Sequence, residues 1–193
     1  MLLVLAGSVL TFAMAKEAVS VDPVERGTIV IEQDYDQSPA ELTSYRRVEP
    51  LVEQKHRNIV RQAYDYSCGS AALTTVLNFY LGRNLTERQT MEGLLHYGES
   101  ERIVERRAFS MLDMKRLVTA LGYPSGGFRA SIQDLTDLDH PAIVPIQHAG
   151  FKHFVVLRTI RDGRVFLADP SVGNISFTLA QFKEKWEDNV LFI

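Results

Sequence analysis

The chain holds a single cysteine, Cys68, among 193 residues, so no disulfide can form within it. One cysteine also excludes a Cys-rich zinc site and a disulfide-stapled scaffold. An excess of either charge is lacking: 21 Lys and Arg stand against 24 Asp and Glu, a formal charge of -3. That balance gives no electrostatic case for a nucleic-acid partner. Proline (7) and glycine (12) are few and scattered, which excludes a collagen-like or linker-dominated chain. No GxGxxG, Walker A, HExxH or EF-hand pattern occurs, so no motif calls for a dinucleotide, ATP or a metal. What is present is ordinary globular composition, 46% hydrophobic and 23% charged, long enough for one substantial domain.

Long apolar runs are scarce too. The chain opens MLLVLAGSVLTFAMA, with no charge before Lys16, a run too short to span a membrane comfortably. Ala13-Met14-Ala15 has the small-x-small pattern of a signal-peptidase site. Residues 1–15 therefore read as a secretory signal, 16–58 as an extension without recognisable chemistry, and 59–193 as the working domain. The expected location is the periplasm, with cleavage near Ala15. In an oxidising space Cys68 would be a free, reactive thiol.

In the extension, Gly27 to Ile31 reads as a short strand and Asp34 to Pro39 as a turn. Ser44 to Val52 reads as a second extended piece, broken at Pro50. From Cys68 to Leu81 the period becomes helical, with Ser67 or Asp65 to cap it and Gly82 to end it. Thr86 to Gln89 has capping-box spacing and starts a helix running to about Tyr97. The charged run Glu99 to Arg107 reads as a solvated helix end or loop. Ser110 to Asp113 caps a third helix, expected to bury Leu112, Leu117, Val118 and Leu121 and to stop at Gly122. Gly126-Gly127 reads as a flexible turn. Short apolar strands follow at Ala142–Ile146, Phe154–Leu157 and Val165–Ala168, the last two joined by a hairpin turn at Arg161 to Arg164. Thr178 caps a brief helix carrying Leu179, Phe182 and Trp186, and Val190 to Ile193 closes the sheet. Helices first and an antiparallel sheet second make an α+β domain.

Four residues stand where they could carry chemistry. Cys68 opens the first long helix, where free backbone N–H groups and the helix dipole favour an anion and activate a thiol. His153 precedes an apolar strand and could take and return the thiol proton. Asp169 ends the next strand, and a hairpin would set it beside His153 to orient the imidazole. Gln62, six residues before Cys68, could join the Cys68 backbone N–H in an oxyanion hole. Taken singly, each has an ordinary explanation: a small core hydrophobe, a strand-end histidine, a turn former before Pro170, a surface glutamine. His148 is the competitor for the base, and no histidine has metal-ligand spacing.

Together, Gln62-x5-Cys68-Gly69-x-Ala71-x-Leu73, then His153-Phe154-Val155-Val156-Leu157, then Ala168-Asp169-Pro170 resemble the bacteriocin-processing cysteine peptidases of the C39 family. Gly173 and Phe182-x3-Trp186 also look like that family. The resemblance implies a papain-like fold, with N-terminal helices packed on a C-terminal antiparallel sheet. It implies Cys68 as nucleophile, His153 as base, Asp169 as its orienter and Gln62 as oxyanion donor, with no cofactor and no metal. Many members are peptidase domains of ABC transporters that cut leader peptides after a double glycine. Stand-alone exported members that are similar to this chain serve functional-amyloid export, which implies a polypeptide substrate, an amyloid subunit or an outer-membrane secretion component among them. The other readings are a peptide-binding chaperone on a degenerate peptidase fold, another Cys-dependent acyl transfer, and a double-glycine leader peptidase.

Overall fold

A computed structural model describes residues 27–33, 42–148 and 150–193. The segment read as a signal and the turn expected at Asp34–Pro39 lie outside the described residues. The chain divides into two units, Met1–Pro50 and Leu51–Ile193.

In the first unit, β1 (Thr28–Gln33) pairs antiparallel with β2 (Leu42–Arg47), Thr28 opposite Arg47. Beyond the ladder, Val48 N–H donates to Gly27 O at 2.7 Å. The second extended piece thus ends before Val52.

The second unit begins with a short helix, α1 (Leu51–Lys55), where extended chain was expected to continue. Pro50 does not break a strand; its fixed φ suits the approach to a helix. Four helices follow: α2 (Cys68–Phe79), α3 (Glu87–Tyr97), α4 (Ser100–Arg106) and α5 (Met111–Ala120). Thr86 with Gln89 and Ser110 with Asp113 form complete capping boxes. The charged run is therefore mostly helix, held to the core by Ile103. Leu112 corrects another expectation: it is 49% exposed, and Met114 is buried in its place. Met114, Leu117, Val118 and Leu121 follow the i, i+3, i+4, i+7 stripe, and Leu112 does not lie on it.

Gly126-Gly127 is not a turn. Gly126 exchanges both backbone hydrogen bonds with Ile193, and β3 (Gly127–Arg129) pairs with the last strand. The remaining elements are α6 (Ile132–Thr136), β4 (Ala142–His148), β5 (Phe151–Arg161), β6 (Arg164–Asp169), β7 (Gly173–Thr178), α7 (Leu179–Lys185) and β8 (Val190–Phe192). The sheet runs β3-β8-β4-β5-β6-β7, every neighbouring pair antiparallel. Asp162 and Gly163, at φ 53° and 71°, make the tight β5–β6 turn with two left-handed residues, as a primed hairpin turn requires.

Apolar residues cover both faces of the sheet. Phe154, Val156 and Ala168 join Leu73, Leu77 and Met114 of the helices, whereas Val155, Leu157 and Leu167 pack with Phe182 and Trp186. A strand buried on both faces needs a continuous apolar run, which is why Phe154 to Leu157 shows no alternation. The domain is thus α+β, with helices against a C-terminal antiparallel sheet.

Candidate active site

Cys68 is the first helical residue of α2, and Ser67 occupies the N-cap. The Ser67 hydroxyl does not cap the helix; it donates to Tyr64 O at 2.8 Å. The first-turn N–H groups therefore keep their capacity to receive an anion. Tyr66 precedes this turn at φ 67°, a left-handed conformation rare for an aromatic residue. Backbone strain of this kind gathers at sites where a side chain must be held in one place.

The sheet brings the second group. With Val156 opposite Ala168, His153 lies three residues and Asp169 one residue further in the same direction, so both side chains leave the same face. His153 Nε2 and Asp169 Oδ1 are 2.8 Å apart. Phe154, next to His153, donates its backbone N–H to Cys68 Sγ at 3.5 Å, and the thiol is the other hydrogen-bonding neighbour of the imidazole. Burial alone would lower the His153 pKa, but hydrogen bonds to Asp169 and Cys68, and their charges, raise it to about 9. The pair thus favours the protonated ring. His148 ends β4 opposite Phe151, and the bond to Asp169 belongs to His153.

Asp169 is fully buried, and its Oδ1 also accepts from Ser171 N–H at 2.7 Å, Ser171 Oγ at 2.6 Å and Val172 N–H at 3.3 Å. Burial pushes the Asp169 pKa up, but these donors and the imidazolium outweigh it and hold the carboxyl below its ordinary value. Ser171 was not singled out from sequence. The Asp169-Pro170-Ser171 order is a turn signal that could have indicated it, because an Asp side chain bonds the backbone two residues on.

Gln62 reaches the same end of the sheet through its backbone, donating its N–H to Pro170 O at 3.0 Å. Its side-chain oxygen is buried. So the fold joins Cys68, His153 and Asp169 by side-chain contacts, and ties Gln62 to the residue that follows Asp169.

A cleft of about 440 Å³ opens beside Cys68, with Tyr66, Phe109, Leu112 and Phe154 among its walls and Arg106 and Lys152 supplying positive charge. Leu112, exposed against expectation, is part of this wall. A larger apolar cavity of about 740 Å³ follows the C-terminal half of α2 and does not include Cys68. Cys68 lines the smaller cleft and not the larger one. Among the described residues, no group of three or more His, Cys, Asp or Glu side chains converges as a metal site.

Residues 56–193 match the Peptidase C39 family. This chain belongs to the Peptidase C39 family. It is a cysteine peptidase, and its substrates are polypeptides. It is 37% identical to a Pseudomonas aeruginosa protein named "Probable functional amyloid protease FapD", over 77% of this chain and 66% of that protein. A Pseudomonas fluorescens protein of the same name is 30% identical, over 80% of this chain and 68% of that one. The match thus spans about two thirds of the length of these relatives. The fold is shared with a double glycine motif protease from an AMS/PCAT transporter, solved with its leader peptide. That structure has TM-score 0.58 and 21% identity, over 70% of this chain and 88% of that one. The peptidase domain of Streptococcus ComA, a bi-functional ABC transporter, also has TM-score 0.58, with 20% identity, over 72% of this chain and 97% of that one.

One expectation is overturned here. The opening apolar run was read as directing the protein to the periplasm. The C39 peptidase domains of double-glycine and ComA-type transporters act on the cytoplasmic side, so the periplasmic assignment does not stand. A short apolar run with a small-x-small ending is a compositional signal only and does not fix a compartment. Among the described residues no helix is long and apolar enough to cross a membrane.

Proposed function

We propose that this peptidase cuts a polypeptide destined for secretion by thiol chemistry centred on Cys68. The observation that carries the reading is one imidazole, His153, bonded to Asp169 at 2.8 Å, while the N–H of the next residue, Phe154, reaches the sulfur of the only cysteine at 3.5 Å. Cys68 attacks the scissile carbonyl carbon as the thiolate of a thiolate–imidazolium pair. The carbonyl oxygen becomes an oxyanion, received by the Cys68 backbone N–H and the Gln62 amide. His153 gives its proton to the leaving amine, the C–N bond breaks, and an acyl-thioester remains. Water, deprotonated by His153, then attacks the thioester and releases the new carboxyl end. Asp169 holds the ring in the required orientation and supports its positive charge, itself held by Ser171.

The amyloid-protease names of the two pseudomonad relatives support a functional-amyloid subunit or an associated secretion component as substrate. We take residues 59–193 as the peptidase domain and 16–58 as an extension. A family match starting at 56 and a compact unit starting at Leu51 support a boundary in this region.

The test is cleavage of a purified functional-amyloid subunit, with peptides containing Gly-Gly in parallel. Wild type should cleave at defined bonds, and a folded Cys68→Ala protein should not. Full hydrolysis by folded Cys68→Ala would refute the mechanism. Cleavage of only the Gly-Gly peptides would refute the amyloid substrate and keep the mechanism.

A further inference from the structure

Glu87 belongs to neither the motif nor the family resemblance, yet the fold spends a buried carboxylate on it. It is the first residue of α3 and is only 7% exposed. A carboxylate buried this far is costly unless its oxygens find donors or a helix N-terminus offsets its charge. Oε2 accepts the backbone N–H of Ala63 at 2.9 Å. Oε1 is buried with no hydrogen-bond partner among the described residues. The carboxylate is thus committed to one backbone group, that of the residue following Gln62.

The loop before Cys68 is held at three points. Val60 N–H donates to Thr75 Oγ1 on α2 at 3.0 Å, Gln62 N–H to Pro170 O at 3.0 Å, and Ala63 N–H to Glu87. The last two bracket Gln62, one at its own amide and one at the next. Residues 64–66, between this point and Ser67, are exposed, and their one local tie among the described residues is the turn in which Tyr64 O accepts the Ser67 N–H and hydroxyl.

We propose that Glu87 is a positioning residue for Gln62: its hold on the Ala63 N–H fixes the backbone from which the Gln62 amide reaches the oxyanion. This rests on the oxyanion role assigned to Gln62 above. Ala63 requires an acceptor at this position rather than a charge, so a glutamine at 87 should serve nearly as well, whereas an alanine should release the loop. Misplacement of a reacting group by about 1 Å can cost as much as about 100-fold in rate.

Two probes of Cys68 separate positioning from general damage. In acylation by p-nitrophenyl acetate the sulfur bonds the acetyl carbon, the carbonyl oxygen passes through an oxyanion, and p-nitrophenolate leaves as the ester C–O bond breaks. In alkylation by iodoacetamide the sulfur displaces iodide at carbon and no oxyanion forms. The Cys68→Ala protein supplies the background for both. Gln62→Ala should slow acylation and leave alkylation at the wild-type rate. Glu87→Ala should slow acylation about 10-fold, again with alkylation unaffected, and Glu87→Gln should recover most of that loss. In the Gln62→Ala background, Glu87→Ala should cost less than about 2-fold, because the group it positions is already gone.

Equal losses from Glu87→Ala in both backgrounds, a parallel loss in alkylation, or no loss at all would each overturn the proposal. If Glu87→Ala does not fold, Glu87→Asp, which cannot reach Ala63 without moving α3, is read in the same way. Should Gln62→Ala itself leave acylation unchanged, the oxyanion role of Gln62 falls first. That result is distinct from a Gln62 effect that Glu87 does not share.

Discussion

His153 and Asp169 meet side chain to side chain at 2.8 Å, sixteen residues apart on two strands joined by a tight turn. The contact is as rigid as the hairpin beneath it, because Val156 opposite Ala168 sets the distance between the two strand ends. Oδ1 also accepts the Ser171 hydroxyl and N–H, so the carboxylate is aimed before any substrate arrives. Pre-aimed charge of this kind needs no reorganisation during reaction.

Substitutions at the pair should therefore form a ranked series. His153→Ala removes the proton carrier and should lower peptide hydrolysis by about 10²–10⁴. Asp169→Asn should lose less, since an amide can still orient the ring but supports an imidazolium poorly. Asp169→Ala should fall between the two. Single-turnover hydrolysis measured with and without EDTA reads the series, and the chelator should change none of the rates. An Asp169→Asn enzyme as slow as His153→Ala would show that the carboxylate does more than orient and support.

The pH dependence follows from the direction of the His153 shift. Its folded-state pKa is raised from 6.5 to about 9, so the protonated ring favours the folded state. This contribution is complete below 6.5 and is lost as pH rises through about 9. Asp169 is shifted the other way: its contribution is present above 3.8 and is lost as pH falls through the depressed folded-state value. Melting temperature should decline on the alkaline side in wild type and decline less in His153→Ala. Hydrolysis should share the alkaline limb, because the leaving amine takes its proton from the imidazolium. Asp169→Asn should move that limb to lower pH, which a pH–rate profile would record.

Asp113 joins three pieces of chain behind the cleft. It is 1% exposed and accepts from Glu99 N–H, Arg106 Nη2 and both the N–H and hydroxyl of Ser110. Burial raises its pKa, but these donors prevail and hold it below the ordinary value. Asp113→Ala leaves buried donors unmet and should cost about 3 kcal/mol in urea unfolding. Asp113→Asn should cost less, since it still accepts.

Two glycines separate steric from conformational need. Gly173 has φ +97°, and a Cβ there would sit 2.5 Å from Lys55 O, whereas Gly163 has φ +71° and open space around it. Gly163→Ala should cost about 1 kcal/mol, the left-handed penalty alone. Gly173→Ala should cost more, by 2 kcal/mol or more on the order of an overpacked backbone contact. Thermal unfolding of the two proteins measures the difference.

Much of the fold was legible because its signals are local. Thr86, Ser110 and Thr178 each stand three residues before an acceptor that completes the box, and each helix starts there. The Asp162-Gly163 turn and the apolar strands beside it were equally plain. Less legible were β3 and β7, since Gly127–Arg129 and Gly173–Thr178 lack the apolar run of a doubly buried strand and gain their structure from the neighbour they pair with. Leu112 misled because a leucine near a buried stripe is assigned inward unless the helix phase is known, and Met114 set that phase. Ser67 misled for a related reason: it sits at the N-cap, but its hydroxyl bonds a turn made by Tyr64 to Ser67.

The sequence by itself determined the class of chemistry. A lone cysteine at a helix start, a histidine before one apolar strand, an aspartate after the next and a glutamine six residues before the thiol are ordinary taken singly, and their order along the chain carries the family resemblance. Tertiary structure alone decided which groups touch and how they are held: Ser171 on Asp169, Glu87 on the backbone beside Gln62, Leu112 in the cleft wall. The reason is physical. Caps, turns and helical stripes are settled by interactions within a few residues. The charge state of His153 and the reach of Gln62 depend on burial and on partners that only the packed chain brings within hydrogen-bond distance.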